Sequence, residues 1–430
     1  MEKRDASSRL EATLSRTLNA RRSQSTIRQL TTVPPDSVDF SSNDFLSLAT
    51  NPELRTAFLS ELHRGPSQTG SGGSRLLDGN SAYAESLEHQ IARFHHAPAA
   101  LLCNSGFDAN VGLFSCLPQP GDVVVYDAAI HASVHDGMRL SRAAQCLPFA
   151  HNDVPALRHV LARLARENSG VRDGSSNVFV AVETVYSMSG TLCPLPRILA
   201  IMHACLPRGN GHLIVDEAHS TGIYGAHGRG LVSELGLEDQ VLVRLHTFGK
   251  ALAANGAVLL CSSAVVREFL VNYARPMIYT TFMSFPALAA IRASYGFLES
   301  GKAEPLTRNL RLLIGELHAR LRGLQEQLVS AGGESGLLRV PAKCPESPIF
   351  AVLSSEPKAL AAYCQSHGFV VRGIVPPTVP AGTERIRVCL HGGNTLAQVD
   401  GLVGVIRAWV EMRRAQSAGV IVGEEVRARL

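Results

Sequence analysis

Leu213-Ile214-Val215-Asp216-Glu217-Ala218-His219 is the stretch on which the fold turns. Its three apolar residues read as a short buried strand, which hands over to an acid and then to a histidine. A run of this kind suits a sheet covered on both faces by helices. In an open α/β sheet, ligands bind at the carboxyl ends of the strands, so Asp216 and His219 stand at the edge where chemistry is expected. An acid there can pair with a protonated ring nitrogen, and it can equally cap the helix that follows.

Outward from this stretch the pattern repeats. Residues 99–102, 123–126, 178–182 and 257–260 are further short apolar runs, with amphipathic stretches such as 83–94 and 156–166 between them. This alternation predicts a large domain over 46–285 with a mostly parallel sheet flanked by helices. Residues 1–45 read as a helix and an irregular link: Leu10, Leu14, Leu18 and Ile27 recur at near-helical spacing, and Pro34-Pro35 ends the segment. Residues 169–177, SGVRDGSSN, read as a surface loop. Further on the character changes. A long amphipathic helix over 306–329, a strand pair at 349–352 and 368–372, a Pro-rich link, a strand over 385–390 and a helix over 395–415 predict a smaller C-terminal α+β domain, 286–430.

Composition narrows the function classes. The chain has 430 residues, 45% hydrophobic and 18% charged, as packed soluble proteins do. The formal net charge is +4, with no Lys/Arg run interleaved with aromatics, so a nucleic-acid partner is not expected and small anionic substrates fit. Nine cysteines without a CxxC pair point to reduced thiols, with Cys103, Cys116, Cys146 and Cys261 as small core residues. No stretch reaches the roughly 18 apolar residues of a membrane span. The opening MEKRDASSRLEATLSR has no apolar core and is not a secretory signal. Ala428-Arg429-Leu430 is a small-basic-Leu tripeptide of the peroxisomal type, so a peroxisomal location is expected where the tripeptide is used, and a cytoplasmic one otherwise.

The second chemical motif is His246-Thr247-Phe248-Gly249-Lys250. A lysine after a short turn, among apolar residues, can have a lowered pKa and act as an amine nucleophile. An arbitrary lysine is a solvated surface group; the position of this one after the Asp216 strand sets it apart. A Walker loop is excluded, because Arg244 stands where Gly is needed and Ala251 where Ser or Thr is needed. Thr69-Gly-Ser-Gly-Gly-Ser-Arg75 offers backbone N–H groups to an anion, or is an ordinary loop. Asn104-Ser-Gly106-Phe107-Asp108-Ala-Asn110 follows a strand and opens a helix, which suits a phosphate at the helix N-terminus or a plain turn. His131 and His135 stand four apart, but no third ligand is evident and no metal site is expected. His131 stacked on an aromatic cofactor ring fits better. Residues 222–230, GIYGAHGRG, lack the GxGxxG order and the acid that should follow, so a dinucleotide site is disfavoured.

In order along the chain, SSNDFLSL, TGSGGSRLLDGN, NSGFDAN, IHASVHDG, ETVYSMSG, VDEAHSTG, HTFGK and PPTVPAGTERIRV resemble the α-oxoamine synthases. These are pyridoxal-phosphate enzymes of the aminotransferase-like fold type I. The resemblance spans residues 21–408. It implies pyridoxal 5'-phosphate as cofactor, an amino acid and an acyl thioester as substrates, and a homodimer with shared active sites. It also implies roles. Lys250 would hold the cofactor as a Schiff base and then move the α-proton. Asp216 would pair with the ring nitrogen, His131 would stack on the ring, and His219 and Ser187 would meet its oxygen side. Gly106 and Phe107 would present backbone to the cofactor and Thr247 would bind phosphate, while Thr280 or Thr281 would reach the partner's phosphate. Asn43 and Arg387 would hold the amino-acid carboxylate, and Arg28 and Thr378 would line the acyl side.

Residues 149–153, FAHND, and 376–383, PPTVPAGT, look most like the member that condenses L-alanine with a pimeloyl thioester. Glu217 and Ser220 depart from its usual Asp and Gly and resemble the sphingolipid-synthesising branch, which leaves the acyl chain open. Other members take glycine with acetyl or succinyl thioesters, or serine with a palmitoyl thioester. A non-catalytic partner subunit of that branch would lack Lys250.

Overall fold

The computed structural model describes residues 8–24, 26–330 and 336–417. The tripeptide Ala428-Arg429-Leu430 lies outside these residues. The chain divides into two units, Met1–Ser37 and Val38–Leu430.

The first unit holds the helix Arg9–Ser23. Ser8 opens it with a capping box: its Oγ accepts from the Glu11 N–H at 3.2 Å, and the Glu11 carboxylate accepts from the Ser8 N–H at 2.7 Å. The helix buries nothing. Leu10, Leu14 and Leu18, expected to form an apolar stripe, are exposed, and Ile27 falls beyond the helix end.

The second unit is built on a seven-stranded sheet. Its strands run, edge to edge, Ala99–Cys103, Ala257–Cys261, Val243–Thr247, Gly211–Asp216, Val178–Glu183, Val123–Asp127 and Gln145–Phe149. Ala257–Cys261 is antiparallel to both neighbours, and the other pairings are parallel. The central strands are buried and mostly apolar because helices cover both faces. The helix Val154–Glu167 shows how: Leu157, Val160, Leu161 and Leu164 are buried at helical spacing. Two strands carry no clear sequence signal. Gln145–Phe149 is a half-exposed edge containing Pro148, and Val243–Thr247 buries Arg244 and His246 in mid-strand.

Towards the C-terminus, Arg385–Cys389 is the centre of a three-stranded antiparallel sheet between Arg372–Ile374 and Ile349–Leu353. The expected pairing of 349–352 with 368–372 does not form. Phe369–Val370 instead pairs in parallel with Val38–Asp39. Residues 38–45, read with the N-terminal link, therefore belong to the second unit. The helices Glu304–Ser330 and Leu396–Ser417 flank this region. One continuous core runs from Phe40 and Leu87 through Leu313 and Val388 to Trp409, so residues 46–285 and 286–417 share it. The expected loop at 169–177 opens with a short helix, Ser169–Asp173. Asn168 caps its start by accepting from the Val171 N–H at 3.2 Å, and Gly174, at φ 89°, ends it. Among the described residues, no helix is long and apolar enough to cross a membrane.

The Gly-rich loop at 69–75 is anchored in this body. Ser71 Oγ donates to Phe282 O at 2.8 Å, and the Phe282 N–H donates to Gly73 O at 2.9 Å. At its end, the buried Arg75 pairs with the buried Glu88. Glu88 also accepts from Arg267 Nη2 at 2.8 Å and from the Leu102 N–H at 2.7 Å. One carboxylate thus fastens a helix to the edge strand and to a second helix. Removing one partner of a buried ion pair strands the other charge. Glu88→Ala should cost about 3–5 kcal/mol of unfolding free energy, measured by urea titration; a loss below about 1 kcal/mol would contradict this account.

Candidate active site

Three parallel strands end at one edge of the sheet and deliver Glu183, Asp216 and Thr247 there. Register places Glu183 beside Asp216 and Asp216 beside Leu245. After Thr247 the chain turns tightly around the fully buried Phe248. Its N–H donates to Gly256 O, and its carbonyl accepts from the Ala254 N–H, both at 2.9 Å. This closed loop carries Lys250 back over the sheet edge. The result is a cavity of about 250 Å³ with Lys250, Asp216, His131, His219, Thr247 and Gly106 on its wall. Phe107, Ser133, Asn110 and Glu183 line it too.

Asp216 is held by two donors. Its Oδ1 accepts from the Ala218 N–H at 2.9 Å and its Oδ2 from Asn110 Nδ2 at 3.0 Å. Asn110 Nδ2 also donates to Ser133 Oγ at 3.0 Å, and that hydroxyl lies 2.8 Å from His131 Nδ1. The Ser133 backbone N–H donates to the same Nδ1 at 3.2 Å. Nδ1 is therefore the acceptor, and the ring proton sits on Nε2. Asp216 and His131 are fixed by one chain of bonds.

The helix Gly106–Cys116 begins at the cavity, with Ser105 Oγ accepting from the Asp108 N–H at 3.0 Å. It comes so close to the strand end that a Cβ on Gly106 would stand 2.5 Å from Thr247 Cγ2. Thr247 Oγ1 is buried and has no hydrogen-bond partner among the described residues; His219 Nδ1 is the same. Such orphaned polar atoms are costly unless a ligand completes them. A helix N-terminus beside an unpartnered hydroxyl suits a phosphate. Asp216 suits a ring nitrogen, His219 a ring oxygen and Lys250 an aldehyde. The residues present fit pyridoxal phosphate.

Electrostatics agree with geometry. Burial holds the Lys250 amine below its ordinary range, with Asp216 and Glu183 opposing and Arg387 assisting. Burial, then Lys250, Arg387 and His131, hold His219 well below the usual histidine range, so it is neutral near pH 7. His131 is lowered by burial first, against the pull of Asp216. Burial and then the neighbouring Asp216 push the Glu183 carboxyl well up.

Arg387 is buried beside this cavity. Its Nη2 donates to Asn43 Oδ1 at 2.8 Å and its Nε to Ser187 O at 2.7 Å. The two residues expected to hold an amino-acid carboxylate are thus bonded to each other. Ser187 and Thr378 line a second, larger cavity of about 610 Å³ and are not on the wall of the Lys250 cavity. Thr280 and Thr281 are exposed and also do not line it. Arg28 lies exposed in the first unit. The loop at 69–75 does not line it either. Glu217 and Ser220 lie off its wall: Glu217 Oε1 accepts from Ser220 Oγ at 2.9 Å and the Val232 N–H at 3.0 Å, and its Oε2 lies 3.2 Å from His246 Nε2.

Sequence reading passed over Glu183, Asn110 and Ser133. Glu183 carries the signal that marked Asp216, an apolar run closed by an acid. Asn110 stands one helical turn after Gly106, on the face the helix start presents. Ser133 follows His131 at the distance of a capping bond.

The family model for aminotransferase class I and II matches residues 35–406. The chain is 52% identical to 8-amino-7-oxononanoate synthase of Emericella nidulans over 393 residues, 91% of this chain and 93% of that one. It is 40% identical to aminoacyl transferase sphA of Aspergillus fumigatus, covering 91% of this chain and 86% of that one. Serine palmitoyltransferase from S. paucimobilis, solved with a bound PLP–myriocin aldimine, superposes with a TM-score of 0.78 at 25% identity over 96% of this chain and all of that one, 100%. The chain belongs to the aminotransferase class I and II family and, within it, to the α-oxoamine synthases, which are pyridoxal-phosphate enzymes.

Proposed function

We propose that the chain condenses L-alanine with a pimeloyl thioester, releasing carbon dioxide and the thiol and yielding 8-amino-7-oxononanoate for biotin synthesis. The observation that carries this reading is the convergence of Lys250, Asp216, His131, His219 and Thr247 on one cavity, in a chain 52% identical to a synthase of that name.

Lys250 would hold the cofactor covalently through its amine, Asp216 would pair with its ring nitrogen, and the Gly106 helix start with Thr247 would hold its phosphate. When bound, pyridoxal phosphate supplies an electron sink for charge left at the amino acid's α-carbon. Burial lowers the pKa of the Lys250 amine, against the pull of Asp216 and Glu183, which favours the free-base form that can take the α-proton. Arg387 offers its guanidinium to the amino-acid carboxylate, and its bonds to Ser187 O and Asn43 fix its aim beforehand. Holding that carboxylate decides which bond at the α-carbon is presented for cleavage. His219, neutral and unpartnered at Nδ1, can share a proton with an oxygen in the cavity without adding charge.

A second reading is the sphingolipid type, serine with a long acyl chain. It is favoured by the 40% identity to aminoacyl transferase sphA; Glu217 and Ser220, which resemble that branch in sequence, lie off the cavity wall. We also infer a homodimer. Exposed Thr280 and Thr281, away from their own chain's cavity, and exposed Tyr273 and Tyr279 nearby support it.

Thiol release, measured with L-alanine, glycine and L-serine against pimeloyl, acetyl, succinyl and palmitoyl thioesters, should be fastest for L-alanine with pimeloyl. Preference for L-serine with palmitoyl would move the assignment to the second reading. Lys250→Ala should abolish both the condensation and the visible absorbance of the bound cofactor while the thermal midpoint of the apoprotein stays in place; retained activity would sink the role given to Lys250. Light scattering should return twice the chain mass of 46.0 kDa, and a monomer at assay concentration would refute the dimer.

A further inference from the structure

The larger cavity beside the active site holds a buried cation that forms no salt bridge among the described residues. It holds about 610 Å³ at the same sheet edge, between the segment 186–189 and the Pro-rich link at 376–381. Tyr186, Met188, Pro376, Pro377 and Val379 give it a largely apolar wall, suited to a chain of methylenes. Ser187 belongs to its wall and is the residue whose carbonyl Arg387 grips, so the cavity begins where the amino-acid site ends.

Arg385 lines this cavity and is only 8% exposed. Its Nε donates to Thr383 O at 2.8 Å and its Nη1 to Met188 O at 3.2 Å. Among the described residues it has no ion-pair partner. The adjacent acid, Glu384, lines a different cavity. A buried guanidinium fixed by neutral carbonyls and lacking an acid is expensive, and a carboxylate ligand is what offsets that cost. The other basic group on the wall, His151, is already engaged: its Nδ1 meets Asp127 Oδ1 at 2.9 Å and its Nε2 meets Thr191 Oγ1 at 2.8 Å.

Arg385 and Arg387 are two apart on one strand and face the same side. They grip consecutive carbonyls, Met188 O and Ser187 O. Their backbone positions are about 6.6 Å apart by strand rise, with Arg385 on the wall of the larger cavity and Arg387 beside the Lys250 cavity. The proposed reaction brings two carboxylates, one on the amino acid and one at the far end of a dicarboxylic acyl chain. We propose that Arg385 is the specificity residue that binds the terminal carboxylate of the acyl substrate, with the apolar cavity wall holding the methylenes between. This rests on the functional reading above.

The test compares pimeloyl-CoA with heptanoyl-CoA, the same chain length with a methyl in place of the carboxylate. The ratio of kcat/KM for the two should fall about 10- to 100-fold in Arg385→Met, as loss of a charge-assisted bond predicts, and by less in Arg385→Lys. The KM for alanine should not follow, and cofactor absorbance reports that the site is intact. In the unaltered enzyme, free pimelate should compete with the acyl thioester more tightly than heptanoate, a measurement that survives if the Met variant does not fold. An equal loss for both thioesters, or equal inhibition by both acids, overturns the Arg385 assignment and leaves the functional reading in place. An unaltered enzyme that favours palmitoyl-CoA over pimeloyl-CoA overturns both.

Discussion

A carboxylate taken out of water must be satisfied by donors, and Asp216 is satisfied by two from different elements. Its own turn supplies the Ala218 N–H, and the helix Gly106–Cys116 supplies Asn110. That second bond sets the depth of the helix against the sheet. The same depth brings the Gly106 backbone against Thr247 and leaves no room for a side chain between them. Asn110 passes the constraint on to Ser133 and so to His131. Both acceptor oxygens keep further lone pairs, so the carboxylate is held in place and still able to take a proton donor from the cavity. The ring-nitrogen partner, the phosphate cradle and the stacking histidine therefore rest on one hydrogen-bonded chain.

Beneath this layer lies a second polar network that never reaches the cavity. Glu217 and His246 face each other with no exposure to water, Thr221 Oγ1 meets His246 Nδ1 at 2.9 Å, and Arg244 Nη2 donates to His95 O at 2.8 Å. Gly230, at φ 108°, leaves the space that Glu217 fills: a Cβ there would stand 2.6 Å from Glu217 Oε1. This network ties together the strands that carry Asp216 and Thr247, with Glu217 and His246 facing each other as an ion-pair contact at 3.2 Å. The glutamate in place of the usual aspartate is accommodated here, away from substrate. Its identity speaks to how the sheet edge is braced rather than to which acyl chain enters.

The fold was legible where apolar periodicity alone determines the element. The central strands and the long C-terminal helices fall into this class, because burial on both faces or on one stripe writes itself into the sequence. The strand Val243–Thr247 was not, because Arg244 and His246 are buried against partners far away in sequence, His95 O and Thr221 Oγ1. The partner of Val38–Asp39 lies at Phe369–Val370, a pairing that no local pattern encodes. At the site, Lys250 and Asp216 were readable from strand ends, and their grouping from a family resemblance. Asn110 and Ser133 were not, since they act through geometry between elements. Ser187 and Thr378 were named from the resemblance without the information that they border a separate cavity.

That separation gives the site a physical logic. Bond making at the α-carbon needs a cavity in which the Lys250 amine is held below its ordinary pKa, and burial supplies that shift. An acyl chain with a charged end would undermine that condition if its carboxylate sat near Lys250, because a second anion would raise the amine's pKa again. Placing the apolar cavity on the far side of Ser187 moves such a charge to Arg385, away from the amine, while Arg387 stays near enough to assist Lys250. Strand alternation makes the arrangement simple to encode: two arginines with one residue between them, on one face of the strand. The spacing of the two arginine positions is two residues of a β-strand.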